Sequence, residues 1–336
     1  MRLDRSSVAV AMFVATGLFL PSSAAARDKL LVAVNRADNK VSIFKAEGHG
    51  LTLLKALPVG KTARELCISP DGTRGYVSAQ ETGSVTVVDL DGLAVAATIE
   101  AAELKGADGC IVSPDGKKLY VVSTTRDSLV IVSTADKKVL KEVKLPLGVP
   151  RRVIFNPAGT KLYVGSNKTP EIAIVDVAKE TVDSTFKVGN EGRGGLAFTP
   201  DGKQFLVGNV EDDTLSIVDT ATHQVTKTVG TPISPQRVLV SKDGQFAYVL
   251  TRMGGKDAAG QYAPVLFRYP IKEKHELSLF APVGQLPWGL AMSDDEALLY
   301  VSSNKENTIN VIDRNTFKVL NTVPAGNDPN GLAFRP

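Results

Sequence analysis

The phrase Ser-Pro-Asp-Gly returns along this chain at a nearly constant interval, and no other feature restricts its fold as strongly. It reads Ser69-Pro70-Asp71-Gly72, Ser113-Pro114-Asp115-Gly116, Asn156-Pro157-Ala158-Gly159, Thr199-Pro200-Asp201-Gly202 and Ser241-Lys242-Asp243-Gly244, with a worn copy at Ser293-Asp294-Asp295-Glu296. Successive copies lie 44, 43, 43, 42 and 52 residues apart. A period in the low forties is the mark of a propeller built from four-stranded blades. Each copy predicts a tight turn, because Pro presets φ, Asp bonds its own backbone and Gly accepts positive φ.

The flanking segments fill in the blade. A run of strand type follows each turn, as in Tyr76-Val77-Ser78, Tyr120-Val121-Val122 and Tyr300-Val301-Ser302. About ten residues on comes a second run that alternates with period two and ends in Asp89, Asp176, Asp219 or Asp313. A third run (139–143, 225–229, 319–323) and a fourth (Leu196-Ala197-Phe198) complete four strands, a to d from the axis outward. The chain stops on an a strand, Gly331 to Pro336, with no b strand after it. It begins, at Asp28 to Asn35, on a b strand with no a strand before it. The expected fold is all-β: a seven-bladed propeller of antiparallel blades, closed when the C-terminal strand joins the N-terminal blade. Closure removes free sheet edges.

Residues 1–26 stand apart. Arg2 and Arg5, an apolar stretch from Val8 to Leu20 and Ala24-Ala25-Ala26 have the layout of a secretory signal peptide. The apolar stretch is too short to span a bilayer. The expectation is a propeller domain over 27–336, periplasmic or secreted, monomeric and without a membrane span once the signal is removed. The chain carries 39 basic and 36 acidic side chains, too even a balance for a generic nucleic-acid or membrane binder. Cys67 and Cys110 fall in the a strands of consecutive blades, three and four positions before the turn proline, and are expected to meet across one blade interface. An oxidising compartment would allow a disulfide between them. The other reading is a pair of buried thiols.

Anchoring every blade on its turn brings a second set of residues into register. Arg64, Asp108, Arg151, Gly194, Gln236, Trp288 and Asn330 share one position at the mouth of the central channel. Glu65, Arg152 and Arg237 come one place later and Arg193 one place earlier. Guanidinium groups suit carboxylate or phosphate, and a flat ligand or base can stack on Trp288. Alternatively, the arginines pair with Glu65 and Asp108. The extra residues of the long interval, Arg252 to Pro264, extend the same face.

Other chemistry is disfavoured. His49, His223 and His275 all fall away from the mouth, which argues against a His-ligated metal or haem and against a Ser-His-Asp hydrolase. No cofactor and no metal are expected. The glycines from Gly189 to Gly195 join two strands with no helix behind them, unlike a dinucleotide loop. Asp38, Asp127, Glu171, Asp212 and Asp213 lack a calcium-loop pattern and read as turn caps.

Taken together, Ser-Pro-Asp-Gly, then Tyr-Val with Asn35, Asn167, Asn209 or Asn304 close behind, then Val-x-Val-x-Asp, then Val-Gly, resembles the YVTN family of β-propeller repeat proteins. The sixth unit departs from the pattern at Val265 to Pro270, which lacks the Asp. The resemblance implies an exported, largely non-enzymatic propeller. The leading expectation is therefore a binding or scaffold protein whose partner is an anionic small molecule, single-stranded nucleic acid or a protein docked over the arginines. A metal-dependent hydrolase or lyase of the lactonase kind and an accessory of a periplasmic redox system are the alternatives.

Overall fold

The computed structural model describes residues 27–189, 194–252, 255–256, 262–272 and 279–335. They form seven four-stranded antiparallel sheets and one two-stranded sheet. Blade 1 combines Leu30–Asn35, Lys40–Glu47 and Gly50–Pro58 with the C-terminal strand Pro329–Arg335. Leu31 lies opposite Phe334 and Val32 opposite Ala333, so the ring closes as the two chain ends predict. Arg335 locks the seam: its guanidinium donates to Asp91 at 2.7 Å and to the Asp28 carbonyl at 2.8 Å. Blades 2 to 7 begin at Ala63, Ala107, Pro150, Leu196, Pro235 and Pro287. The proposed signal segment, 1–26, lies outside the described residues.

The core is divided by the blade interfaces. Seven apolar clusters form, each shared by two adjacent blades. In blade 1, Leu30, Val32 and Val34 face blade 2, while Leu31 and Ala33 face blade 7. Blades packed on both sides need strands apolar on both faces. This explains why Leu129 to Val132 is buried throughout, with no solvent face, despite the alternation read in these c strands. The outermost strands are mostly exposed, as along Val225–Gly230.

The turns behave as their composition predicts. Gly72, Gly116, Gly159, Gly202 and Gly244 all have φ near +70°. Ser69 Oγ donates to Asp71 and also accepts the Arg74 N–H, and Ser113 repeats the arrangement with Asp115 and Lys118.

Cys67 and Cys110 pack into the same cluster between blades 2 and 3, as the spacing suggests. Both are free thiols. The Cys110 thiol approaches the Tyr76 carbonyl at 3.6 Å, and burial first, then Cys67, raises its pKa.

Candidate functional site

The mouth is built by a defect that recurs from blade to blade. In six inner strands the pairing with the next strand slips by one residue, at Arg64–Glu65, Asp108–Gly109, Arg151, Gln236, Trp288–Gly289 and Asn330–Gly331. A β-bulge re-aims side chains that strict alternation would send to opposite faces. Arg151 and Arg152 thereby both reach the Trp288 ring, at 4.8 and 5.8 Å. The b-strand serines satisfy backbone groups freed by the slip: Glu65 N–H donates to Ser78 Oγ and Gly289 N–H to Ser302 Oγ. Two residues before the mouth position the backbone is left-handed in all six blades, at Thr62, Gly106, Val149, Ser234, Leu286 and Asp328.

Four arginines surround one indole. Arg64 and Arg237 also stand 5.8 Å from the Trp288 ring, within range of a cation–π attraction. Glu65 lies among them. Its Oε1 accepts from Arg152 Nη1 and Arg237 Nη2 at 2.6 Å each and from Trp288 Nε1 at 3.2 Å. Arg237 Nε also donates to the Trp288 carbonyl at 2.8 Å. This brace ties blades 2, 4, 6 and 7 across the axis. Burial would raise the Glu65 carboxyl, but Arg152 and Arg237 outweigh it and hold it well below its ordinary value of 4.5. The expected pairing of mouth arginines with Glu65 is therefore present, while Asp108 lies only at looser ion-pair distances from Arg64 and Arg151.

Asp108 is held differently. Its Oδ2 lies 3.5 Å from Arg151 Nε and 3.7 Å from Arg64 Nε, beyond good hydrogen-bond geometry. Both Asp108 oxygens, Arg64 Nε, Arg152 Nε and Arg151 Nε and Nη2 are buried with no hydrogen-bond partner among the described residues. Burial, with help from Arg152 and Arg64 and against Asp108, lowers Arg151 to about 10. Burial and Arg152 bring Arg237 to about 10 as well, so both stay cationic at neutral pH.

Trp288 separates two cavities at the mouth. One, of about 390 Å³, is walled by Arg151, Asn167, Gln236, Arg252 and Trp288. The other, of about 300 Å³, is walled by Arg36, Arg252, Trp288, Lys305 and Asn330. Gln236 and Asn330 thus stand on opposite sides of the indole. Arg252 borders both cavities, so the long insertion does begin at the mouth. Arg193 and His275 lie outside the described residues. His223 is engaged elsewhere, hydrogen-bonded to the Tyr163 hydroxyl at 3.1 Å and stacked on Phe186. Asp127 and Asp213 act as caps, accepting the Val149 and Ser234 N–H groups at 2.8 and 2.7 Å.

Below the brace the channel changes character. A cavity of about 260 Å³ has Glu65, Arg152 and Arg237 at one end and aliphatic walls from Leu66, Val153, Leu196, Val238, Leu290 and Leu332. Each wall residue, and Cys110, sits four places before its turn. This column is visible in the same alignment that revealed the arginines, but it is apolar and reads as core. Glycine is required above it: a Cβ on Gly195 would stand 1.9 Å from Val238 N, and one on Gly109 2.3 Å from the Arg151 carbonyl oxygen.

Solved structures share the architecture. The chain is similar to hydrazine synthase of Kuenenia stuttgartiensis, at 20% identity and a TM-score of 0.74, covering 82% of this chain and 90% of that one. A functionally unknown protein from Desulfotomaculum acetoxidans matches at 18% identity and 0.74, over 91% of this chain and 98% of that one. The dihydro-heme d1 dehydrogenase NirN, in complex with DHE, matches at 17% identity and 0.67, over 90% and 74%. At these identities the likeness concerns the fold. No curated protein matches the sequence. The family model "Lactonase, 7-bladed beta-propeller" matches residues 23–96 and 94–195, more than half of the 336 residues. With seven four-stranded blades in a closed ring and this match, the chain belongs to the lactonase family of seven-bladed β-propellers.

Proposed function

We propose that this protein is an exported, non-enzymatic binding propeller of the YVTN type, which holds an anionic ligand over Arg151 and Trp288. The observation that carries the reading is Arg151: a largely buried guanidinium on an indole face, with Nε and Nη2 lacking a hydrogen-bond partner among the described residues, at the wall of a cavity of about 390 Å³. A buried, unsatisfied cation is costly, and an anion with paired acceptors would complete it. Four guanidinium groups against two carboxylates leave the cluster positive, which attracts the same ligand.

Trp288 is the only tryptophan in the chain, so its fluorescence reports on the site directly. Inorganic phosphate, citrate and a short single-stranded oligonucleotide are the probes. At least one is expected to shift Trp288 emission, with affinity falling tenfold or more in Arg151→Ala. If none of the probes perturbs Trp288, or if Arg151→Ala binds as well, the reading fails.

The family name favours a second reading, a metal-dependent lactonase. The mouth residues do not fit the metal. Each buried carboxylate there faces two guanidinium groups, whose positive charge repels a cation, and two carboxylates fall short of the six to eight oxygen ligands calcium takes. Metal analysis of the purified chain separates the two: stoichiometric tight divalent metal would favour the enzyme.

A further inference from the structure

Beyond the mouth, we infer that the chamber below the Glu65 brace is a second binding site, for an aliphatic monocarboxylate whose chain fills the aliphatic ring and whose carboxylate meets Arg152. The chamber and the mouth cavities lie on opposite sides of the brace, so this site does not depend on the ligand proposed above.

Shape and polarity make the case. Six blades each contribute an aliphatic side chain to the wall, joined by the Cys110 thiol, and the charged lining side chains are Glu65, Arg152 and Arg237 of the brace. An apolar cavity of about 150 Å³ already takes benzene, and this one measures about 260 Å³. It therefore has room for a longer chain. Water gains little from aliphatic walls, whereas each buried methylene contributes about 0.8 kcal/mol.

Charge selects the head group. Arg152 and Arg237 share the single Glu65 carboxylate, leaving one positive charge in excess at the brace. Arg152 is more than nine-tenths buried, yet its Nε has no hydrogen-bond partner among the described residues. One carboxylate supplies both the missing acceptor and the missing charge. A dianion would overcompensate, and an alcohol would leave the charge unmatched.

The test titrates acetate, butyrate, hexanoate and 1-hexanol into the full chain by calorimetry. Affinity is expected to rise roughly fourfold per added methylene, with hexanol at least tenfold weaker than hexanoate. Leu196→Phe and Leu290→Phe, which fill the chamber, are each expected to abolish the rise. A flat series in the wild-type chain overturns the inference whether or not the variants fold, and so does hexanol binding as tightly as hexanoate. A rise that survives both variants overturns it too, placing the chain on exposed outer-strand residues such as Leu53 and Leu140. The phosphate or citrate response at Trp288 depends on Arg151 and is read separately, so either proposal can fail alone.

Discussion

Glu65 illustrates how one side chain becomes structural through distant partners. Arg152, Arg237 and Trp288 lie 87, 172 and 223 residues away in the chain. The turn-anchored alignment placed all four at or beside the channel mouth, because the repeat preserves position within a blade. It could not show that a single oxygen gathers three donors, since that depends on the ring diameter and on the bulges. Glu65→Gln leaves two buried guanidinium groups poorly compensated and is expected to cost about 3–5 kcal/mol, read from urea unfolding. The folded-state pKa is lowered, so the stabilisation from Glu65 is complete above the ordinary value of 4.5 and is lost as pH falls toward the folded value. The urea midpoint of the wild-type chain should be level above about pH 5 and decline below it. Glu65→Gln should show a shallower decline.

The inner strand and its entry loop form the next unit. Proline, glycine and aspartate made the turns legible, since each acts through its own backbone. The bulges were not legible, because register in strands buried on both faces is set by the adjacent blades and not by an apolar–polar alternation. The left-handed residues before each bulge are equally cryptic: Val149 has φ +52°, which no β-branched residue adopts without support. Support comes from the preceding blade, whose b–c turn residues Asn39, Asp127, Asp213 and Asn307 accept the N–H groups of Thr62, Val149, Ser234 and Asp328. All four acceptors are themselves left-handed. Asp127→Ala loses the hydrogen bond, about 1 kcal/mol, and meets a left-handed penalty of a further 1–2 kcal/mol or so. Asp127→Asn keeps the acceptor and tolerates the conformation, so its chemical denaturation midpoint should stay near that of the wild type.

The ring as a whole depends on its seam. Pro329–Arg335 supplies the inner strand of blade 1 and packs against blades 7 and 2, with Ala333 in one cluster and Leu332 and Phe334 in another. Deleting 331–336 therefore removes apolar contacts from two interfaces and strips Leu30–Asn35 of its inner partner. The melting temperature of the whole domain should fall by roughly 10 °C, at ~2–4 °C per kcal/mol for a large domain. Calorimetry giving equal melting temperatures for the deleted and full-length chains would contradict this. Arg335→Ala should lower it less, since it removes the buried latch to Asp91 and Asp28 but leaves the strand.

Blade number, strand order, the missing half-blades at the two ends and the position of the mouth all follow from a pattern repeated in one dimension, because each blade restates the same local instructions for turns and strands. The pairing of Glu65 with two arginines, the slip that turns Arg151 and Arg152 toward one indole, and the aliphatic chamber beneath them arise when seven copies meet around an axis. Those features depend on distances between blades, which a linear repeat does not encode residue by residue. The same apolar column four places before each turn is core in any one blade and becomes the wall of a cavity when the ring closes.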